Sequence, residues 1–223
     1  MNAPAATLVP IFATPFAAVP LAGAGSLNPA LAAALAARAT ADRREPAAPS
    51  DPLCYRSRED LFDEEDETVA ALRREMLAGL CGAVVATTSY TAAEFDRLGI
   101  QARARFVIVR PDGCLPATTE SLASWCAIYC VAAPPAVSGR ADSGVLRLYQ
   151  TRFGTMFMDA SNWNLRAPFA ASHLIWHPVA GHMVAFPASL PYEIALNRTD
   201  RDLLLVVVRA RFANPGQQAM PPW

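Results

Sequence analysis

The chain of 223 residues contains no lysine: all 19 of its basic residues are arginine. Without lysine, the protein cannot form a Schiff base with a carbonyl substrate or use a lysine as general base. The 20 acidic residues bring the net charge to −1, and no basic cluster typical of a nucleic-acid surface is present. We therefore expect no nucleic-acid partner.

Cysteine is scarce and has no pairing motif. There are five cysteines, an odd number, and no C-x-x-C sequence. Cys126 and Cys130 lie four apart in a predicted strand, which separates them by about 13 Å. This distance is too long for a disulfide. The pattern predicts reduced, buried thiols, as in a protein of the cytoplasm.

Long apolar runs are also missing. The first basic residue is Arg38, and the apolar N-terminal stretch is interrupted by prolines at positions 4, 10, 15 and 20. A signal peptide needs a basic start and an unbroken apolar segment, and a membrane span needs about 20 apolar residues. The sequence therefore predicts a cytoplasmic protein without a membrane partner.

The N-terminal part of the chain has helical patterns. An opening strand is predicted within Leu8–Val19, and a helix from Asn28 to about Arg43. The acidic run Asp63–Glu67 opens a second helix, because negative charge is favourable at a helix N-terminus. Thr91–Glu94 has the spacing of a capping box and predicts a short third helix.

From Ile100 onward the apolar residues alternate with polar ones, as in β-strands. After this first strand, six more are predicted, at about 124–133, 144–151, 173–178, 182–187, 191–197 and 203–213. Helices followed by strands predict an α+β, mainly β fold of the sandwich or jelly-roll type. We expect one domain over 1–223, with a strand and helices in 1–99 and the β core in 100–213.

Four segments of the core carry a family resemblance. They are Trp125–Val131 (WCAIYCV), Ser143–Arg152 (SGVLRLYQTR), His177–Ile194 (HPVAGHMVAFPASLPYEI) and Arg201–Val208 (RDLLLVVV). In this order and spacing they resemble the 2-oxoglutarate/Fe(II) oxygenases, relatives of the prolyl hydroxylases. The resemblance implies a double-stranded β-helix, a cupin-like jelly roll, with two or three N-terminal helices bracing one sheet.

In that family a His-x-His or His-x-Asp pair and a distal histidine hold Fe(II). The matching positions in this chain are Thr118, Glu120 and Tyr192. A hydroxyl and a neutral phenol are poor replacements for two imidazoles. The resemblance thus predicts the fold of an iron oxygenase without its metal triad, and no assured metal or cofactor.

The resemblance also marks residues that would bind a substrate or co-substrate. Besides Thr118 these are Tyr129, Tyr149 and Arg152. Arg201 follows Tyr192 by nine residues, where the family places the basic residue that pairs with the far carboxylate of 2-oxoglutarate. We therefore expect a small, anionic substrate.

Glu120 and Tyr192 are the predicted catalytic residues. At the end of the barrel where iron ligands normally converge, they would place a carboxylate and a phenol in one cavity. Such a pair can act as general acid and base if burial raises the pKa of the glutamate. In the alternative interpretation, Tyr192 simply fills the volume that the metal has left.

A second interpretation keeps the metal and seeks other ligands. All three histidines fall between His173 and His182, and Pro178 and Gly181 predict a hairpin turn between His177 and His182. His177, His182 and Glu120 are then the fallback metal ligands, with Fe(II) and 2-oxoglutarate as cofactors.

Three function classes remain open. The first is a small-molecule enzyme of secondary metabolism that uses redox-neutral chemistry: isomerisation, cyclisation or elimination. The second is a 2-oxoglutarate/Fe(II) oxygenase with unusual ligands. The third is a non-catalytic binding protein, for which an interior packed by apolar side chains would be the sign. Exposed sheet edges make a homodimer a further expectation.

Overall fold

The computed structural model describes residues 13–46, 51–135, 141–150, 165, 173–214 and 221–223. Helices precede most of the strands in the chain. The helices are α1 (Ala24–Ala37), α2 (Glu67–Val85) and α3 (Ala92–Phe95), with a 3-10 turn at Leu61–Asp63. The strands are β1 (Ala17–Pro20), β2 (Cys54–Arg56), β3 (Gly99–Val109), β4 (Leu115–Thr118), β5 (Trp125–Ala132), β6 (Leu146–Tyr149), β7 (His173–Trp176), β8 (His182–Pro187), β9 (Tyr192–Ile194) and β10 (Leu203–Ala213).

The strands form two antiparallel sheets. The large sheet has the order β1-β8-β5-β10-β3-β2, and the small sheet has the order β4-β9-β6-β7. The long strands β10 and β3 pair along their whole length, from Leu203 opposite Val109 to Ala213 opposite Gly99. The fold is α+β, mainly β, and is a double-stranded β-helix, as the sequence predicted.

The large sheet buries both of its faces, and residue parity decides which face a side chain joins. Along β10, Leu203, Leu205 and Val207 pack against the small sheet, whereas Val206 and Val208 pack against the helices. The face toward the small sheet is called the inner face below. A strand buried on both sides reads as a continuous apolar run, which explains the LLLVVV sequence.

The helices brace the outer face of the large sheet, as the resemblance implied. Helix α2 begins at its N-cap Asp66, whose carboxylate accepts hydrogen bonds from the backbone N–H groups of Thr68 and Val69. One face of α2 is buried in the outer core together with Leu31 and Leu35 of α1. The capping box predicted at Thr91 and Glu94 is also present.

Several predicted boundaries were wrong. Helix α1 begins at Ala24 rather than Asn28, and β2 and β4 were not predicted at all. The predicted turn is present, since the backbone N–H of His182 donates to the backbone oxygen of Val179 at 3.0 Å. It does not form a hairpin, because β7 belongs to the small sheet and β8 to the large one. All five cysteines are free. Among the helices that the structure describes, none combines the length and apolarity needed to cross a membrane.

The cap of α2 provides a stability prediction. Replacing Asp66 by alanine removes both cap hydrogen bonds and the ion pair with Arg38, whose Nη2 lies 2.7 Å from the carboxylate. We expect a loss of about 1–2 kcal/mol in the free energy of unfolding, measured by urea denaturation. Asp66→Asn keeps an oxygen for the cap and should lose less than about 1 kcal/mol, because the ion pair is partly exposed.

The pH dependence checks the same cap. The hydrogen bond from Arg38 holds the pKa of Asp66 below its ordinary value. A carboxyl whose pKa is lowered by folding adds stability above its unfolded pKa and loses it as the pH falls. The difference between wild type and Asp66→Asn should therefore shrink on acidification. A constant difference from pH 7 to pH 3 would contradict this account.

Candidate functional site

Arg105, Glu120 and Tyr192 meet inside the barrel, between the two sheets. Arg105 lies on the inner face of β3, Glu120 follows β4 by two residues, and Tyr192 begins β9. Their exposed fractions are 3%, 6% and 0%. The structure thus brings together the two side chains that the sequence marked as catalytic, and it adds an arginine to them.

The three side chains are joined directly. Arg105 Nη1 donates to Glu120 Oε2 at 3.1 Å, and Arg105 Nη2 donates to the other carboxylate oxygen. Nη2 also donates to the Tyr192 hydroxyl oxygen at 3.1 Å, and that hydroxyl donates to Glu120 Oε1 at 2.5 Å. A charge-assisted, bidentate pair of this kind is among the stronger hydrogen-bond arrangements in proteins.

A second carboxylate extends the cluster. Glu59 accepts from Arg105 Nη1 at 2.7 Å and also pairs with Arg209 of β10. Arg209 Nη1 in turn donates to the backbone oxygen of Ser121 at 3.0 Å. Within the described part of the chain, the buried Nε atoms of Arg105 and Arg209 have no partner. Most hydrogen-bond donors of the cluster therefore have an acceptor, but these two Nε atoms do not.

Burial and charge fix the protonation states. Burial alone would raise the pKa of Glu120, but the charge and hydrogen bonds of Arg105 outweigh it, so that the pKa lies below its ordinary value. Burial raises the pKa of Tyr192 well above 10. Burial opposes the charge of Arg105, yet its interactions with Tyr192 and Glu120 give a net rise in its pKa. At neutral pH the site holds a carboxylate, a neutral phenol and a guanidinium.

These protonation states differ from the one on which the prediction of acid–base catalysis depended, a Glu120 carboxyl with a raised pKa. The predicted acid–base role was conditional: it required that burial raise the pKa of Glu120. The sequence argument did not include Arg105, whose positive charge reverses the direction of the shift. Glu120 is consequently a base by its charge state, and Tyr192 is the neutral hydrogen-bond donor. Their catalytic role stays a prediction.

Thr118 lies beside this cluster without joining it. It pairs with Tyr192 across β4 and β9, but its hydroxyl donates to the backbone oxygen of the next residue, Thr119, at 3.4 Å. The pairing confirms that positions 118 and 192 come together. No described contact links the threonine hydroxyl to Glu120 or Arg105.

Two tyrosines predicted to bind substrate face away from the interior. Tyr129 has the outer parity of β5, and its hydroxyl donates to Asn28 Oδ1 of α1 at 2.5 Å. Burial raises its pKa to about 12. Tyr149 has the outer parity of β6 and its ring lies 6.0 Å from that of His173. The structure therefore places both side chains away from Glu120 and Arg105, because neighbouring positions in a strand point to opposite faces. Their role in substrate binding stays a prediction.

The two predicted anion-binding arginines have different outcomes. Arg201 is exposed in the turn before β10, where its backbone oxygen accepts hydrogen bonds from Asn197 and Thr199. The structure therefore does not bring Arg201 to Glu120 and Tyr192, and its pairing with a carboxylate stays a prediction. Arg152 lies outside the described residues.

The fallback metal ligands do not assemble. His177 is exposed after β7, whereas His182 opens β8 opposite Pro20 and has a buried Nδ1 without a partner in the described ranges. Across the residues that the structure describes, no three histidine, cysteine, aspartate or glutamate side chains form a group able to hold a metal ion.

The residues at the family's ligand positions do not fit Fe(II). Of the three, only Glu120 is an anionic ligand, and Arg105 already holds both of its oxygens. Tyr192 keeps its proton because its pKa is raised, and a protonated phenol is a weak ligand. A divalent cation at Glu120 would also lie within a few ångströms of the guanidinium, and like charges at about 4 Å repel each other strongly away from water.

Sequence reasoning missed Arg105, although a signal was available. Arg103 and Arg105 have the same parity as Val107 and Val109, which are buried on the inner face of β3. The alternation of residues along β3, followed from Val109 back to Arg103, places both arginines on the inner face. In the sequence they stand out only as the polar residues that alternate with apolar ones from Ile100 onward.

Comparison with known proteins supports the fold. Models of known families gave no match, and curated protein sequences gave none either. Solved structures do match: a Pseudomonas putida prolyl-4-hydroxylase is 18% identical, with a TM-score of 0.55, over 91% of this chain and 94% of its own. The α-ketoglutarate-dependent carbocyclase SnoK from nogalamycin biosynthesis is 10% identical, with a TM-score of 0.60, over 88% and 79%.

A third similar structure was solved with ligands. HygX from Streptomyces hygroscopicus, with nickel and 2-oxoglutarate bound, is 12% identical, with a TM-score of 0.54, over 89% of this chain and 83% of its own. At such low identities the likeness concerns the fold alone. This chain therefore has the fold of the 2-oxoglutarate/Fe(II) oxygenases.

The buried cluster predicts an unusual pattern of stabilities. Arg105→Met should lower the free energy of unfolding by about 3–5 kcal/mol at pH 7, because it leaves Glu120 charged, buried and without its cation. The double variant Arg105→Met/Glu120→Gln should recover a large part of that loss. Tyr192→Phe, which removes one hydroxyl, should lose only about 1–2 kcal/mol. Urea denaturation of all four proteins measures these differences.

The pH dependence should change direction in Arg105→Met. In wild type the lowered pKa of Glu120 adds stability above the unfolded pKa, which is lost as the pH falls through the folded value. Without Arg105, burial dominates and raises that pKa, so that acidification from pH 7 to pH 5 should stabilise the variant. Parallel pH profiles for the two proteins would rule out the ion pair as the main support of Glu120.

Proposed function

We propose that this chain is a small-molecule enzyme that works without iron and catalyses a redox-neutral reaction at Arg105, Glu120 and Tyr192. The observation that carries the proposal is the guanidinium of Arg105, which is hydrogen-bonded to Glu120 and Tyr192, two of the three side chains at the ligand positions that the resemblance implies. In this proposal the guanidinium of Arg105 takes the place that the metal ion has in the family.

The chemistry follows from the three protonation states. Glu120 is the base, while Tyr192 and Arg105 are hydrogen-bond donors that can stabilise a developing negative charge. In an isomerisation, Glu120 takes a proton from a carbon next to a carbonyl, and the C–H electron pair becomes the enolate. The enolate oxygen accepts from Tyr192 and Arg105, and Glu120 returns the proton to another carbon or face. Neither an oxidant nor a reductant is consumed.

Substrate binding would also make Glu120 a better base. The hydroxyl of Tyr192 donates to Glu120 in the free protein, and this bond is one of the causes that lower the pKa of the carboxyl. A carbonyl oxygen that takes over the hydroxyl releases Glu120 from that bond. The basicity of Glu120 then rises only when a substrate occupies the site.

The similar structures fit this reaction class in one respect. SnoK is described as a carbocyclase, so that ring formation is one of the outcomes associated with this fold. SnoK depends on α-ketoglutarate, however, and we propose no such dependence here. With its free cysteines and its fold, the chain is best placed in the cytoplasm, in the biosynthesis of small molecules.

A non-catalytic binding protein is the second candidate, and the packing of the interior favours it. Beyond the polar cluster, the space between the sheets is filled by apolar side chains, among them Ile128, Phe186, Leu205 and Val207. A carboxylate placed among these apolar side chains, away from the arginines of β3 and β10, would be buried at a high cost in free energy. The family's usual co-substrate therefore finds no support there.

Metal titration tests the first step of the proposal. Ni(II) is added anaerobically to the purified protein with 2-oxoglutarate present, and binding is followed by calorimetry, with HygX as the positive control. We expect no saturable binding at one equivalent for this chain. Tight binding of one Ni(II) would refute the iron-free interpretation and return attention to the histidines.

A designed variant tests whether Thr118, Tyr192 and Arg105 are the reason that the metal does not bind. Thr118→His/Tyr192→His with Arg105→Met rebuilds two imidazoles beside Glu120 and removes the competing cation. This variant should gain Ni(II) binding, whereas Thr118→His/Tyr192→His with Arg105 retained should bind at least tenfold more weakly, because the guanidinium still holds Glu120. Equal affinity of the two variants would show that Arg105 does not exclude the metal.

Solvent-proton exchange distinguishes the enzyme from the binding protein. A small-molecule extract of bacterial cells is incubated with the protein in D2O and analysed by mass spectrometry. If Glu120 removes and returns a proton, a substrate gains one mass unit with wild type and with the exposed-site control Arg201→Met, but not with Glu120→Gln. Labelling that survives Glu120→Gln would exclude this base, and no labelling in any fraction would favour the non-catalytic candidate.

A further inference from the structure

Two more arginines of β10 and one of β3 line the inner face near this site. Arg103 lies opposite Arg209 in the pairing of β3 with β10, and Arg211 lies opposite Gln101. The side chains of all three arginines point to the same face of the large sheet as Arg105, the inner face. Arg103, Arg209 and Arg211 are called the arginine cluster below. Arg209 connects it to the catalytic candidates through Glu59.

Among the described residues, the arginine cluster carries more positive charge than its carboxylate partners compensate. Together with Arg105 there are four guanidinium groups, and the carboxylates that bond to them are Glu59 and Glu120. Among the described residues, Arg103 and Arg211 form no ion pair. Like charges directly opposite each other in neighbouring strands also repel, as Arg103 and Arg209 do.

Arg211 is the most informative member because it is buried. Its exposed fraction is 7%, and its Nε donates to Gln101 Oε1 at 2.8 Å. In the described part of the chain its two terminal amino groups donate no hydrogen bond to the protein. Within the described residues these two groups have no protein acceptor, so they are open to an anion that supplies one. The guanidinium geometry suits an oxyanion that accepts two hydrogen bonds at once.

Trp223 holds two of these guanidiniums in place. Its ring centre lies 4.2 Å from the guanidinium carbon of Arg211 and 4.5 Å from that of Arg209. Stacking on an indole fixes the plane of a guanidinium and leaves its N–H edge free for a ligand. The ring also excludes water from one side, which strengthens an ion pair formed at the edge.

We infer that the arginine cluster binds a small organic anion, a carboxylate or a phosphate ester, with Arg211 as its main contact and Trp223 as its cover. This inference rests on the proposed function, since the anion would anchor the molecule on which Glu120 and Tyr192 act. The anchor and the reacting groups are joined through Glu59 and Arg209, so that the charged end and the reacting end of one molecule can occupy neighbouring positions.

Calorimetric titration with two probes, succinate and inorganic phosphate, tests the inference. Wild-type protein should bind at least one of them saturably, in a manner weakened by added salt. Arg211→Met keeps the length of the side chain and removes the charge, and it should weaken binding at least tenfold, the equivalent of about 1.4 kcal/mol. Trp223→Leu should weaken it less. Arg201→Met, the exposed control, should bind as wild type does.

Each alternative result has a definite meaning. Loss of binding in Arg201→Met but not in Arg211→Met would overturn the inference in favour of the family's usual carboxylate arginine. Binding of neither probe by well-folded wild type would overturn it as well. Better binding of phosphate than of succinate, or the reverse, identifies which oxyanion the substrate carries.

The titrations are run once with EDTA and once with Fe(II) under anaerobic conditions, which separates the two proposals. Binding that is lost in Arg211→Met and equal in both conditions supports both proposals. If the anion binds only with Fe(II), the iron-free function fails. If it binds in neither condition, the arginine cluster fails as a site while the iron-free function is untouched. Urea denaturation confirms that Arg211→Met remains folded.

Discussion

The burial of one guanidinium, that of Arg105, is the constraint on which the rest of the site depends. A charge that is 3% exposed between two sheets must be neutralised and must have its hydrogen bonds satisfied. Glu59 and Glu120 provide the charge, and Tyr192 provides a further acceptor. The identities of three side chains from three separate parts of the chain thus follow from a single buried cation.

The same constraint would account for the departure from the family's metal-binding pattern that the resemblance implies. A metal centre needs several ligands that donate electron pairs to a cation, while a guanidinium needs acceptors arranged around its edge. The carboxylate of Glu120 can serve either a metal ion or a guanidinium. The hydroxyl of Tyr192, which accepts from Arg105 and donates to Glu120, suits only the guanidinium. Position 192 therefore holds a residue that fills the volume and closes the hydrogen-bond network.

Sequence predicted the fold and two members of the site, because those rest on local patterns. The spacing of apolar residues placed most strands, and the family resemblance brought positions 120 and 192 together from opposite ends of the core. Arg105 could not be derived in this way. Its partners lie 15 and 87 residues further along the chain, and only the closure of the sheets brings them together. The outward positions of Tyr129 and Tyr149 have another cause, since a resemblance of short segments does not fix which face of a strand a side chain takes.

The hydrogen bonds of Arg105 also indicate that the initial binding of a ligand depends on other residues. Its two terminal nitrogens donate four bonds, two to Glu120 and one each to Glu59 and Tyr192, and Nε alone is unused in the described structure. A ligand therefore gains little from Arg105 until it displaces Tyr192 or Glu120.

The free energy for that displacement has to come from contacts made elsewhere on the same molecule. Arg211 has the unused donors that could supply it. Both terminal nitrogens of Arg105 already have protein acceptors, whereas those of Arg211 have none among the described residues. In the proposal Arg211 therefore binds the anion, and Arg105 responds only after the anion has been bound.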